Sequence, residues 1–180
     1  LLGRQSRLSK LVLTDQTAAR TELELWKGAL SKPGALAIEL VHQLTAPGEI
    51  ASEQHARAML QLARANQLPA VLTNAVRYLF PDDAITADVL DSARHLEPLG
   101  LFLPQPNAQA WLKPQSNMAQ LALEITEDPK DSVELLKTTE LLDPRSRRVP
   151  QLLEQRRLRV VGRPDAELGH RLRQWHPADA

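Results

Sequence analysis

The sequence predicts an α/β fold in which parallel strands are connected by helices. Two short apolar runs, residues 35–41 and 70–74, are nearly continuous and lie between turn signals, as expected for strands buried on both faces. Helical periodicity precedes, separates and follows them, which gives a strand, helix, strand, helix order. Such a βαβα unit occurs both in α/β barrels and in open doubly wound sheets, and two units do not distinguish these architectures.

The first predicted helix spans residues 16–30, and Thr14 or Asp15 can cap its first turn. Its apolar residues recur every three or four positions and form one stripe: Ala19, Leu23, Trp26 and Leu30. Residues 11–13 form a shorter candidate strand before it. Pro33 and Gly34 break the chain after it.

The second predicted helix, residues 52–67, connects the two strands. Ser52 is its expected cap, and Leu68 and Pro69 end it. Its inward face is expected to consist of Ala56, Met59, Leu60 and Ala63. The helix therefore has the length and the apolar stripe of a connection between parallel strands.

A third helix is predicted to begin at Pro81 and to run to about His95. Asp82 and Asp83 lie near the positive end of its dipole, so capping explains them better than a paired-carboxylate site. Its inward residues are expected to be Ile85, Val89 and Leu90. Asp88 and Asp91 share a helical face near Arg94 and His95, which is typical of solvated ion pairs.

The rest of the chain divides into an irregular segment, two helices and a basic tail. Residues 96–114 are rich in proline, and helices are predicted over 118–125 and 133–142. Residues 1–143 are expected to form one domain, and residues 144–180 a basic linker with a helix at 165–175. The tail from residue 145 holds nine Arg and four acidic residues, a balance of +5 in a chain whose net charge is zero.

Composition excludes several classes of site and protein. The chain has 180 residues, 43% of them hydrophobic, and its apolar runs are far shorter than the roughly 20 residues of a membrane helix. We therefore expect a cytoplasmic protein with no membrane partner. Because it has no Cys, disulfides, thiolate metal sites and cysteine nucleophiles are excluded. Aromatic residues make up only 3%, so contact with nucleic acid would be to phosphate rather than by base stacking.

Several stretches, in order along the chain, resemble one known family. They are Leu1-Leu2-Gly3, Leu25-Trp26 and residues 38–42, 68–78, 87–94 and 111–113, and the frame around Thr73-Asn74 and Arg77-Tyr78 is the most specific. Together they resemble the C-terminal part of the PHP domain of a bacterial, especially actinobacterial, DNA polymerase III alpha subunit, a C-family DNA polymerase. Residues 160–164 resemble, more weakly, the start of the polymerase portion.

The resemblance implies a distorted barrel of seven βα units, of which this chain would supply the C-terminal part. In active members, strand ends assemble three metals from His, Asp and Glu ligands, and the early ligands should precede Leu1. Two later ligand positions, Asp and His in the family, are Ala75 and Arg77 here. A third, a His in the family, falls on Gln43, or on His42 after a one-residue slip.

These substitutions predict loss of the family's hydrolytic chemistry. A methyl group binds no cation, and a guanidinium places a fixed positive charge where metal charge should lie. We expect Arg77 to form an ion pair with a retained acid such as Glu39, or with one from the missing upstream half, in preference to contacting DNA. His42 and His55 are expected to be satisfied or exposed histidines rather than ligands.

The expected function is therefore structural support of a DNA polymerase in DNA replication. The fragment needs no cofactor of its own and no catalytic residue is assigned to it, whereas the parent would extend DNA as a nucleotidyltransferase with magnesium. Its partners would be the upstream half of the PHP domain, the polymerase domain, DNA through the parent and the sliding clamp. Six arginines of the tail are candidates for contact with DNA phosphates: Arg145, Arg147, Arg148, Arg156, Arg157 and Arg159. The alternative is that they belong to a solvated linker.

Two other functions stay open. The upstream half could complete a metal-dependent phosphoesterase or a 3′–5′ exonuclease. Alternatively, the chain is an interaction module that docks polymerase or clamp partners through the apolar patch formed by Leu101, Phe102 and Leu103. No Gly-rich phosphate loop, Ser-His-Asp set or His-Glu-x-x-His motif supports another chemistry.

Overall fold

A pair of short parallel strands forms the centre of the chain. The computed structural model describes residues 6–30, 32, 35–98, 101 and 104–142, all within the unit Leu1–Leu142. Strand β1 (Ile38–Val41) pairs with β2 (Ala70–Thr73), with Ile38 opposite Ala70 and Val41 opposite Thr73. Helix α3 (Glu53–Ala65) connects them. The predicted α/β class with a parallel βαβ unit is thus confirmed at this level.

Five further helices occur in the described part of the chain. They are α1 (Arg7–Leu11), α2 (Gln16–Ala29), α4 (Ala84–His95), α5 (Gln115–Thr126) and α6 (Pro129–Leu142), and a 3-10 turn at Pro81–Asp83 precedes α4. The strand predicted at 11–13 is wrong, because Leu11 is the last residue of α1. Ser6 accepts a hydrogen bond from the Ser9 amide at 3.1 Å and caps this short helix, a local signal that the apolar run obscured.

Local capping chemistry fixes where the helices begin. The Asp15 carboxylate accepts from the Ala18 amide at 2.9 Å, and the Ser52 hydroxyl accepts from the His55 amide at 3.2 Å. Asp83 Oδ2 accepts from the Phe80 amide at 3.1 Å. The Asp15 and Ser52 side chains satisfy amides that have no partner within their helices, so these two predicted caps are confirmed. Asp83 instead reaches back to the amide before the 3-10 turn and makes no side-chain cap bond to α4.

The core lies between the sheet and the helices that pack on it. Its largest buried apolar side chains are Leu8, Leu23, Ile38, Leu40, Met59 and Leu72. Helix α3 contributes the face predicted for it, since Ala56, Met59, Leu60 and Ala63 are all buried. Helix α6 packs against β2, and Thr139 Oγ1 accepts the Leu72 amide at 2.9 Å. A side chain therefore satisfies one backbone donor of β2 that pairing with β1 leaves over.

Two expected inward faces are exposed. On α4, Ile85 and Leu90 are 77% and 65% exposed and Val89 is 42% exposed. On α2, Ala19 and Leu23 are buried as predicted, whereas Trp26 and Leu30 are largely accessible. Periodicity identifies the residues that share a helix face, but burial also needs a second element to cover that face.

Some sequence-based predictions fall outside the described residues. These include the chain break at Pro33 and Gly34, Phe102 and Leu103 of the apolar patch, and the whole tail from residue 143 with its six candidate phosphate-binding arginines. The proposed boundary after residue 143 stays a prediction. Within the described part of the chain, no helix is both long and apolar enough to cross a membrane.

Candidate functional site

Polar side chains converge beyond the carboxyl ends of β1 and β2, where parallel α/β sheets usually form their sites. Gln43 lies two residues after β1, and Asn74 directly follows β2. The side-chain amide of Gln43 donates to the Asn74 carbonyl at 2.7 Å. Asn107, from the irregular segment before α5, donates to the Gln43 carbonyl at 2.7 Å. We call this set, with Gln109 and Lys113, the strand-end network.

Asn74 is the centre of the strand-end network and is only 4% exposed. Its Nδ2 donates to the carbonyls of Gln109 at 2.9 Å and Trp111 at 2.6 Å, and its Oδ1 accepts from Lys113 Nζ at 3.0 Å. An isolated parallel bridge joins Tyr78 and Trp111 nearby. Asn74 therefore fastens the segment before α5 to the end of β2, and both Nδ2 donors and one Oδ1 lone pair are used for that purpose.

Lys113 is the cation of the strand-end network. Its Nζ donates to Asn74 Oδ1 and to the Gln109 carbonyl, and it lies 5.6 Å from the centre of the Trp111 ring. Burial lowers the pKa of Lys113 to about 8 because the ammonium form loses water. Sequence reasoning assigned no role to Lys113, since a single lysine in a proline-rich segment carries no local signal of its burial.

Ala75 brings no ligand to the strand ends. Its backbone is in the left-handed region, with φ at 44°, and its amide donates to Thr73 Oγ1 at 3.3 Å. That conformation is uncommon for residues other than glycine, asparagine and aspartate. The backbone turns sharply here, and the methyl side chain offers no donor or acceptor.

Arg77 forms an ion pair, but not with the expected partner. Its Nη2 lies 2.5 Å from Oδ2 of Asp91 on α4, and the guanidinium holds the pKa of Asp91 below its usual value. Glu39, the acid proposed from the sequence, instead accepts from Thr73 Oγ1 at 2.7 Å. Arg77 follows β2 by four residues, so its long side chain reaches α4 while Thr73 satisfies Glu39.

The pairing of Asp91 also corrects the prediction of ion pairs within α4. Its direct partner is Arg77, while Arg94 and His95 act on the Asp91 carboxylate through weaker charge attraction. Asp88 Oδ1 accepts from the Gln105 amide at 3.1 Å. Both acids thus connect α4 to segments outside it, which helical spacing alone does not reveal.

His42 and His55 are buried and both have polar partners. His42 Nε2 lies 3.4 Å from Glu124 Oε2 on α5, beside an open cleft of about 620 Å³ that Arg57 also lines. His55 Nε2 lies 2.9 Å from Ser9 Oγ, and burial lowers the pKa of His55. Gln43, rather than His42, belongs to the strand-end network, so the two neighbours serve different parts of the fold.

The chemistry of the strand ends is dominated by amides and fixed cations. In the part of the chain that the structure describes, no group of three or more His, Asp and Glu side chains could hold a metal ion. The Asn74 donors and the Arg77 guanidinium are already paired within the protein, and Lys113 contributes one amine. No family model and no curated protein matches the sequence.

Proposed function

We propose that the chain is the C-terminal part of a PHP domain of a bacterial DNA polymerase III alpha subunit and that it supports the polymerase structurally. The activity, DNA extension with deoxynucleotides and magnesium, belongs to the parent protein. In this proposal the upstream half completes a distorted barrel of seven βα units, and the polymerase domain and sliding clamp are further partners. The fragment needs no cofactor, and its own hydrolytic chemistry is lost.

One observation carries this proposal. In the resemblance Gln43 and Ala75 stand at ligand positions, and here, after adjacent parallel strands, they offer only an amide and a methyl group. Hard divalent cations prefer carboxylate and imidazole groups that neutralise their charge. An amide network closed by Asn74 instead holds the strand ends together, as a supporting domain requires.

Arg77 also supports the loss of the metal site. In the resemblance its position corresponds to a ligand His, but here a guanidinium lies within 2.5 Å of Asp91. Arginine stays protonated at every physiological pH, so it repels any cation nearby. The ion pair connects the loop after β2 to α4 and thereby stabilises this loop without a metal.

The proposal is tested on the protein that contains this chain together with its upstream and polymerase portions. Primer extension should require Mg²⁺ and deoxynucleotides, and a protein that extends no primer would contradict the polymerase assignment. Mass spectrometry of bound metals should find no stoichiometric zinc, manganese or iron outside the polymerase site. Stoichiometric metal, lost when the upstream His residues are replaced, would instead favour a phosphoesterase or exonuclease.

A matched variant makes the metal test sharper. Ala75→Asp with Arg77→His introduces the acid and imidazole that the family resemblance implies, and it should raise bound metal if these positions face a cluster. Asp88→Asn with Arg94→Gln, on α4, is the control and should leave metal content unchanged. Equal metal content in both variants would contradict the assignment of Ala75 and Arg77 to ligand positions.

A second candidate function, docking within the larger protein, is favoured by one exposed surface. Around α4, Leu79, Phe80, Ile85 and Leu90 are each between 60% and 77% exposed, and we call them the α4 apolar face. Large apolar side chains that are exposed together often mark protein contacts. Leu101, from the patch identified in the sequence, is itself 80% exposed.

The docking function predicts that the parent protein covers the α4 apolar face. Phe80→Asp in the full protein should then lower Tm by several degrees, since it buries an unpaired charge. Leu141→Asp on α6, where Leu141 is 62% exposed, is the matched control and should change Tm little. Equal, small effects of both substitutions would show that the α4 apolar face stays in water.

A further inference from the structure

Lys113 is held in a way that distinguishes it from an ordinary surface lysine. Its Nζ donates only to neutral oxygens, Asn74 Oδ1 at 3.0 Å and the Gln109 carbonyl, and its side chain is half-buried beside Trp111. Among the described residues, no carboxylate lies within 4.0 Å of this amine. Lys27, by contrast, lies 2.7 Å from Glu24 on the surface of α2.

The groups that accept hydrogen bonds from the Lys113 amine are themselves held in place by other bonds. Asn74 is 4% exposed and uses its Nδ2 on two carbonyls, so its Oδ1 cannot turn away from Lys113 without breaking those bonds. The Gln109 carbonyl accepts from both Asn74 and Lys113. Lys113 therefore presents a localised amine at the edge of the strand-end network, while Lys10, Lys27, Lys130 and Lys137 lie on helices.

Burial without a negative partner favours the neutral, nucleophilic form of an amine. With a pKa of about 8, about one Lys113 side chain in ten is neutral at pH 7. For an unperturbed lysine with a pKa of about 10.4, the neutral fraction at pH 7 is only about one in 2,500. A less basic amine is also a weaker nucleophile, so we expect a smaller gain in reactivity, about tenfold.

We propose that Lys113 is the preferred acylation site of this chain, with small activated acyl donors, either acyl phosphates or acyl thioesters, as substrates. The neutral Nζ attacks the carbonyl carbon and forms an amide bond. The carbon–oxygen or carbon–sulfur bond of the donor breaks, and phosphate or thiolate leaves with the electron pair. One proton passes from Nζ to water, and no oxidant or reductant is needed. This inference does not depend on the proposed polymerase function.

Acylation would change the strand-end network in a definite way. The amide that forms has one N–H, so it can donate to Asn74 Oδ1 or to the Gln109 carbonyl but not to both. Acylation also removes the positive charge of Lys113, which has no carboxylate within 4.0 Å among the described residues. The modification would thus loosen the attachment of the segment before α5 and remove the cost of a half-buried charge.

The test compares lysines within the unmodified full chain, so it needs no variant that must fold. The chain is treated with limiting acetyl phosphate, and in a second arm with acetyl-coenzyme A, over a range of pH. Site-resolved peptide mass spectrometry gives the rate at each lysine. At pH 7 Lys113 should react about tenfold faster than Lys10 and Lys137, which are exposed on helices.

The dependence of the acylation rate on pH is the decisive measurement. The Lys113 rate should level off above about pH 8, whereas the rates at Lys10 and Lys137 should keep rising toward about pH 10.4. If Lys113 reacts faster with just one of the two donors, that result identifies the class of acyl donor. A Lys113 rate no greater than that of Lys137 with both donors, or a profile that rises through pH 10, would overturn the proposal.

Discussion

Arg77 and Asp91 form an ion pair that joins the loop after β2 to helix α4, with Nη2 and Oδ2 2.5 Å apart. The two residues are fourteen positions apart, and both side chains are partly accessible. Because Arg77 stays charged, the acid alone determines how the pair responds to pH. The guanidinium keeps the pKa of Asp91 below its usual value, so the carboxylate remains ionised into mildly acidic solution.

The first prediction concerns the pH dependence of this pair. A carboxyl group whose pKa is lowered by folding stabilises the folded state above its unfolded pKa, near 3.8, and loses that contribution as pH falls through the folded pKa. Arg77→Met should therefore lower Tm at pH 7 by a small amount that salt reduces, and the difference from wild type should vanish in strong acid.

Two comparisons check that the effect belongs to the pair. Asp91→Asn should lower Tm by a similar amount, and the double variant should be little worse than either single one. Arg94→Met is the control, since Arg94 acts on Asp91 only through weaker charge attraction. Additive effects of Arg77→Met and Asp91→Asn would mean that the two side chains do not interact in solution.

The second prediction concerns Asn74. Replacement by Ala leaves the carbonyls of Gln109 and Trp111 and the amine of Lys113 without their partner in a nearly buried site. We expect a loss of about 2–3 kcal/mol in the free energy of unfolding, measured by urea denaturation, because several polar groups lose their bonds together. Asn117→Ala in α5, where the residue is partly exposed, should cost much less. A cost below about 1 kcal/mol for Asn74→Ala would contradict the central role of Asn74.

The sequence predicted features that depend on neighbouring residues. Ser52 and the buried stripe of α3 were found because a cap and its helix lie within a few positions of one another. The paired strands β1 and β2 were found because a run buried on both faces is continuously apolar. The sequence also directed attention to Gln43, Ala75 and Arg77, which lie after the carboxyl ends of these strands.

Features that depend on distant residues were missed or misassigned. The sequence offers Arg77 several acids, Glu39 and Asp91 among them, and only the fold decides that Asp91 is its partner. Helix α4 has a regular apolar stripe, yet Ile85 and Leu90 are exposed because no described element covers them. Lys113 is half-buried because of the path of its own irregular segment, which the sequence does not encode in any short pattern.

The third prediction concerns the contact between β2 and α6. Thr139 Oγ1 accepts the Leu72 amide at 2.9 Å and donates to the Leu135 carbonyl at 2.9 Å. Thr139→Val keeps the shape but leaves the Leu72 amide without its acceptor, so we expect a loss of about 1–2 kcal/mol in stability. Hydrogen exchange at Leu72 should become faster than in wild type.

Thr138→Val is the matched control for this contact. The Thr138 hydroxyl donates within α6, to the Glu134 carbonyl, and is not the acceptor of the Leu72 amide. It should therefore leave the exchange rate of the Leu72 amide unchanged. If both valine variants accelerate exchange equally, the effect arises from α6 itself rather than from the contact with the strand.

The last prediction uses the pKa of Lys113 to fix the sign of a stability change. A lysine whose pKa falls from about 10.5 to about 8 on folding binds fewer protons in the folded state between these values. Stability must therefore rise with pH across that interval, which is the opposite of what an ion-paired lysine would give. After discounting for partial exposure, we expect a rise of about 1 kcal/mol from this group.

Lys113→Met should abolish this rise, because methionine fills the same space without titrating. The variant loses the bonds to Asn74 and Gln109 but also the cost of the half-buried charge, so its stability at pH 7 should be close to that of wild type. Urea denaturation at pH 7 and pH 10 measures both effects, with Lys137→Met as the exposed control. If the rise in stability persists in Lys113→Met and disappears in Lys137→Met, the titrating group is Lys137 and the prediction is wrong.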